Sequence, residues 1–203
     1  MLRRARSAGA VGLALGLALA QSGCVTLARL SYTAAVDPRS VSEQAADAQT
    51  EAWIRKAYFL DWDMRVLSIK PYVYLGQVFL VGTYRSETQK QKAVSLADSI
   101  ATVVSVTSYL LPDVKQPDCT LADSLQLRFT VRTELIKDTS VFSTNVAVDT
   151  VQCRLVLLGV VGSKAQRAEA ESRARAVSGA RAVQSFLFVR PAPSENAVRS
   201  PGF

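Results

Sequence analysis

The chain has 203 residues, is 49% apolar and carries 24 Lys and Arg against 17 Asp and Glu, a formal charge of +7. That length suits two small domains or one of medium size, and the charge is too modest for a nucleic-acid footprint. There is no histidine, which excludes Ser-His-Asp and Cys-His catalytic arrangements and argues against a catalytic metal; no residue pattern implies a cofactor.

Arg3-Arg4-Ala5-Arg6 is a positive stretch, and Ala10 to Ala20 is an unbroken run of Ala, Val, Gly and Leu. The run is too short to span a bilayer but suits the apolar part of a signal peptide. It ends at Gln21-Ser22-Gly23-Cys24, where small residues before a cysteine resemble a bacterial lipobox. Residues 1–23 are then the signal peptide, and Cys24 is the lipidated mature N-terminus. Gln21 departs from the aliphatic residue usual there, and Ala20-Gln21 offers an ordinary signal-peptidase site as the alternative. Several acyl chains on one cysteine anchor a protein stably. Without Arg3, Arg4 and Arg6 the mature chain is about +4, compatible with an anionic membrane surface. Val25 follows the cysteine; with no Asp there to signal inner-membrane retention, the outer membrane is the expected destination.

Residues 24–46 read as a tether, broken at Asp37-Pro38-Arg39-Ser40 because Pro38 drives Asp37 out of the helical region. A first domain spans 47–112. Trp53, Ile54, Ala57, Tyr58 and Leu60 recur at helical spacing, and Ser68 to Tyr74 alternates as a strand that Pro71 marks as an edge. Gly76-Gln77 makes a turn, Val78 to Tyr84 is a second strand, Glu87 to Ile100 an amphipathic helix capped by Ser86, and Val103 to Leu111 a third strand. A linker at 113–122 leads to a second domain at 123–191. Its helix from Ser124 to Lys137 turns Leu127, Val131 and Leu135 inward. Strands are expected at Asn145 to Val151 and Arg154 to Val160, a helix from Ser163 to Ala176, and a last strand from Arg181 to Val189. Residues 192–203, with their prolines, read as a disordered tail.

The two domains repeat one another at a shift of 77 residues. Val78-Phe79-Leu80-Val81-Gly82 lies over Leu155-Val156-Leu157-Leu158-Gly159, Ser86 over Ser163, Gln89 over Gln166, Ala93 over Ala170 and Tyr109 over Phe186. A unit of this size is near the lower limit for an independent core, so the copies are expected to lean on each other.

Asn145-Val146-Ala147-Val148, Arg154 to Gly159, the Ala-rich helix and Val177-Ser178-Gly179-Ala180-Arg181-Ala182-Val183 carry a family pattern. The chain resembles the dual BON-domain outer-membrane lipoproteins of the DolP (YraP) type over Cys24 to Arg190. The resemblance implies an α+β fold of two tandem BON domains, each α-β-β-α-β with a three-stranded mixed sheet and two helices on one face. It also implies a periplasm-facing lipoprotein that binds anionic phospholipid through the second domain and supports outer-membrane integrity near the β-barrel assembly machinery. Thr102 stands where the pattern has glycine before the last strand, and Cys153 replaces the hairpin glycine. The first helix of the second domain presents Gln126 where relatives can present an aromatic.

A peripheral helix that meets anionic lipid needs basic residues beside exposed apolar ones. Leu125, Arg128, Phe129, Arg132 and Lys137 supply both, and form the candidate phospholipid site; the competing reading makes Leu125 and Phe129 ordinary core. Trp53, Arg55 and Lys56 are a weaker equivalent in the first domain. Arg167, Arg173, Arg175 and Arg181 read as a solvated face, and Asp61 and Asp63 have no third ligand for a metal. With Cys24 lipidated, Cys119 and Cys153 remain. An oxidising periplasm permits a disulfide between them, but sequence leaves open whether they pair or stay free thiols. The expected function is lipid-anchored, non-enzymatic phospholipid binding; a protein-protein adaptor for the assembly machinery or for envelope remodelling is the alternative.

Overall fold

The computed structural model describes residues 37–64, 68–114, 118–137 and 145–191. Cys24, residues 1–23 read as a signal peptide and residues 192–203 read as a tail lie outside them. The element order is α1 (Val41–Leu60), a 3-10 turn (Trp62–Met64), β1 (Ile69–Tyr74), β2 (Gln77–Tyr84), α2 (Glu87–Asp98), β3 (Ser105–Pro112), α3 (Leu121–Lys137), β4 (Val146–Val151), β5 (Arg154–Val161), α4 (Lys164–Ala176) and β6 (Ala182–Val189). Each copy is α-β-β-α-β, as expected. α1 starts six residues ahead of Asp47, inside the stretch read as tether. Ser40 accepts from the Glu43 amide and the Glu43 side chain accepts from the Ser40 amide, a capping box that starts the helix there.

Both sheets have the same topology. In each, the first strand pairs antiparallel with the central second strand, and the third lies parallel on its other side. Pro71 therefore sits on an edge strand, where its missing N–H breaks no ladder. Helices cover one face of each sheet. Ile54, Tyr58, Ala93 and Ala97 pack on Val78 and Leu80 in the first domain. Leu127, Val131, Leu135, Ala170 and Ala174 pack on Leu155 and Leu157 in the second. Trp53 and Leu60 do not join the α1 core stripe; both are exposed, because Ile54 and Tyr58 already fill that face.

The central strands are buried on both sides. Side chains alternate across a strand, so Phe79 and Val81, and their counterparts Val156 and Leu158, point away from their own helices. These four form a third apolar cluster with Val151, Tyr72, Tyr74, Tyr109, Leu111, Phe186 and Phe188. The two sheets thus stack by their helix-free faces, giving helix, sheet, sheet and helix layers. Counterparts meet across this seam. Tyr109 lies 6.3 Å from Phe186, ring centre to ring centre, and Tyr72 donates to Asp149; both pairs are 77 residues apart. Phe79 adds ring contacts to Phe186 at 5.1 Å and Phe188 at 5.7 Å. The expectation that each copy supports the other is met by an approximate two-fold pairing of the sheets.

Gly82 and Gly159 occupy one repeated position, with φ of 148° and 142°. A Cβ there would stand 1.8 Å from the Ser68 carbonyl oxygen and 1.9 Å from that of Asn145. Only glycine allows the neighbouring backbone so close.

Candidate functional site

The site starts with helix α3. Thr120 and Asp123 bond reciprocally through side chains and amides, which caps its first turn. Leu127, Val131 and Leu135 are buried on β4 and β5. Leu125 and Phe129 are not core: they are 55% and 73% exposed. Leu121 and Ile136 are exposed beside them. At about 100° per residue, Leu121, Leu125, Phe129, Arg132 and Ile136 fall within an arc of about 80° and a length of about 22 Å. The result is a narrow apolar stripe with one guanidinium in it and no carboxylate. Asp123 and Glu134 lie well round the helix from it.

The five expected residues are not equivalent. Leu125, Phe129 and Arg132 stand together on the stripe. Arg128 sits at its margin and turns inward, with its guanidinium 3.7 Å from Asp149. Lys137 lies about 100° round the helix from Ile136 and pairs with Glu134 at 2.7 Å. Sequence reasoning missed Leu121 and Ile136. Starting the helix at Ser124 left Leu121 in the linker, though the spacing Leu121, Leu125, Phe129 was there to find.

Asp149 was also missed. It is buried on β4, and both its oxygens accept from Lys70 Nζ at 3.0 Å. Tyr72 donates its hydroxyl to it at 2.7 Å, and burial with this carboxylate alongside pushes the phenol pKa far up. Lys70 and Tyr72 belong to β1 and Arg128 to α3, so one buried carboxylate ties the candidate helix to the seam between domains. A second tie is Arg190 to Glu43 at 2.8 Å. The Arg190 hydrogen bond, with the Ser40 amide and hydroxyl, lowers the Glu43 pKa to about 2.

The two hairpin turns carry the same backbone by different means. Leu75 and Gly76 have φ of 54° and 72°; their counterparts Gln152 and Cys153 have 50° and 58°. In the first domain the buried Asp47 carboxylate accepts from the amides of Leu75 at 2.8 Å and Gly76 at 2.9 Å, and Arg39 pairs with it. In the second, Cys153 is joined to Cys119 by a disulfide.

Other charged groups are engaged locally. Arg167 and Arg175 both pair with Glu171, and Arg173 with Glu169, along one helix. Such exposed pairs contribute little. Asp61 and Asp63 both hold Lys92, and Arg55 pairs with Glu51. Among the described residues no helix is long and apolar enough to cross a membrane.

The BON domain family model matches residues 46–111 and 123–191. Osmotically-inducible protein Y of Escherichia coli (strain K12) is 33% identical over 112 residues, 54% of this chain and 56% of that protein, so the chain spans little more than half of this relative. CdsD, a structural protein of the type III secretion system of Chlamydia trachomatis, aligns over 74% of this chain and 98% of its own at 18% identity, with a TM-score of 0.32. Its C-terminal domain aligns over 71% of this chain and 96% of its own at 17% identity, TM-score 0.31. Superposition that poor supports no argument.

Proposed function

The chain belongs to the BON-domain family, and on that premise we propose that it is a non-enzymatic, lipid-anchored lipoprotein of the DolP type, facing the periplasm. Its α3 face rests on anionic phospholipid, in support of outer-membrane integrity. The observation that carries this reading is the exposed stripe of Leu121, Leu125, Phe129 and Ile136 around Arg132. Soluble domains seldom leave four large apolar side chains in one line unless something covers them. Apolar residues beside a guanidinium fit the headgroup boundary, where the chains enter the acyl region and the cation meets phosphate. A helix lying in the plane of the membrane uses this whole 22 Å line at once, about 1.5 Å per residue. Once the leader is removed, an acylated Cys24 would hold the domains at the surface.

The test uses the chain from Val25 onward, which contains every described residue. It is expected to bind phosphatidylglycerol vesicles, more weakly as salt rises. Phe129→Asp with Leu125→Asp is expected to abolish binding while leaving the circular dichroism unchanged, because both side chains are exposed. Undiminished binding by that variant would sink the assignment of the site. Acyl labelling that survives Cys24→Ser would sink the anchor.

An adaptor reading is favoured by a different surface. Phe59, Leu60 and Trp62 are exposed at the end of α1, in the opposite helix layer. Trp62 also lines an open cleft with Asp63, Arg85, Gln89 and Lys92. A protein such as a β-barrel assembly component would engage that side, leaving α3 on lipid.

A further inference from the structure

The disulfide and the Asp47 carboxylate stand at matching places in the repeat. Position 76, whose amide Asp47 holds, corresponds to Cys153, and position 47 corresponds to Ser124. Ser124 carries no carboxylate, and its hydroxyl lies 3.4 Å from Cys119 Sγ and 3.9 Å from Cys153 Sγ. The second domain therefore keeps a turn with two consecutive residues at positive φ, neither of them glycine, without the two carboxylate hydrogen bonds that support it in the first. Such residues each cost about 1 kcal/mol or more and persist only where their surroundings enforce them. The disulfide supplies the enforcement. At its other end Cys119 immediately precedes the cap of α3, two residues before Leu121, the first member of the exposed stripe.

We propose that the Cys119–Cys153 disulfide is a redox-sensitive latch on the lipid-facing end of α3. Oxidised, it holds the first turn of the helix against the hairpin and keeps Leu121 and Leu125 in line with Phe129; reduced, it releases both. The consequence for lipid rests on the phospholipid reading above. The reductant is a dithiol, small or protein-borne. One of its thiolates attacks a disulfide sulfur to give a mixed disulfide, and its second thiol displaces the other cysteine. Two electrons and two protons pass to Cys119 and Cys153, and the dithiol leaves as a disulfide. The first domain has no such dependence, because its turn is held by a carboxylate.

Hydrogen exchange and vesicle binding of the chain from Val25 onward, with and without a dithiol, test this. Reduction is expected to speed exchange at the Asp123–Gln126 amides, and at the Arg181 amide that donates to the Cys153 carbonyl, at least about tenfold, given what a cross-link closing a loop of this length contributes. The Leu75 and Gly76 amides should not change. Binding to phosphatidylglycerol vesicles should fall severalfold. The triple variant Cys119→Ala, Ser124→Asp, Cys153→Gly transplants the first domain's latch; it is expected to regain binding and to ignore the dithiol. The proposal is overturned if oxidised and reduced chains exchange equally at α3, or if they exchange differently but bind vesicles equally. Should the oxidised chain bind no vesicles, the phospholipid reading fails. Exchange then decides the latch alone, with unchanged protection on reduction overturning it.

Discussion

Replacing Asp149 by alanine tests whether the seam is one cooperative structure. The carboxylate is 2% exposed and accepts from Lys70 twice and from Tyr72 once. Breaking a fully buried ion pair costs about 3–5 kcal/mol. Here the estimate comes down, because the Lys70 side chain is 41% exposed and regains water. The Tyr72 hydroxyl is left against the seam without its acceptor, at about 1–2 kcal/mol. The expected loss is about 2–3 kcal/mol for Asp149→Ala, and about 1 kcal/mol for Asp149→Asn, which keeps an oxygen for Tyr72. In urea the loss should appear as a lower midpoint with an unchanged slope, because both domains unfold together. In a thermal scan it should be a drop of about 5–10 °C. A double-mutant cycle with Lys70→Ala should give coupling of about 1 kcal/mol. An Asp149→Ala chain within about 0.5 kcal/mol of wild type, or strictly additive mutants, would refute the reasoning.

Gly159→Ala is expected to cost more than about 3 kcal/mol, because its Cβ would stand 1.9 Å from a backbone oxygen. Gly179→Ala, with φ of 93° and nothing within 4 Å of the new atom, should cost about 1 kcal/mol from backbone strain alone; equal losses in chemical denaturation would contradict the distinction. Asp47→Ala strands the Leu75 and Gly76 amides and should cost about 2–4 kcal/mol, read from the same melts; a neutral substitution would show that the turn needs no carboxylate. The Glu43 pKa is depressed from 4.5 to about 2. Its contribution is therefore complete above pH 4.5 and is lost as pH falls from there towards 2. Carboxyl carbon shifts should titrate near 2, and Arg190→Ala should move that midpoint upward; a midpoint that stays put would exclude the inter-domain bridge as its main cause.

The fold was largely legible because its signals are local. Alternation in Val78 to Tyr84, the caps at Ser86 and Ser163, and the paired glycines each report on a few neighbouring residues. The 77-residue shift then checked each copy against the other. The seam was harder to see, since near-continuous apolar runs in β2 and β5 say that two faces are buried but not what covers the second. Trp53 and Leu60 show the limit of periodicity: both fit a helical stripe, yet Ile54 and Tyr58 occupy the face it points to. Leu125 and Phe129 lie well round the helix from the inward stripe of Leu127, Val131 and Leu135, so spacing already pointed them outward; what spacing leaves open is whether another element covers that face. Asp149 was invisible because its partners Lys70 and Tyr72 are brought to it only by stacking the sheets.

The Tyr72–Asp149 contact has a meaning beyond its energy. These residues are one position seen twice. In a symmetric pair of separate, identical domains that position would face itself, tyrosine on tyrosine or carboxylate on carboxylate, and the second would repel. Covalent fusion removes the constraint. Each half can mutate alone, so a self-facing site becomes free to turn into a donor and an acceptor. Fusion also makes the pairing independent of concentration, so the seam persists however scarce the protein is, while the outward helices, which face no counterpart, are left free to take up different tasks.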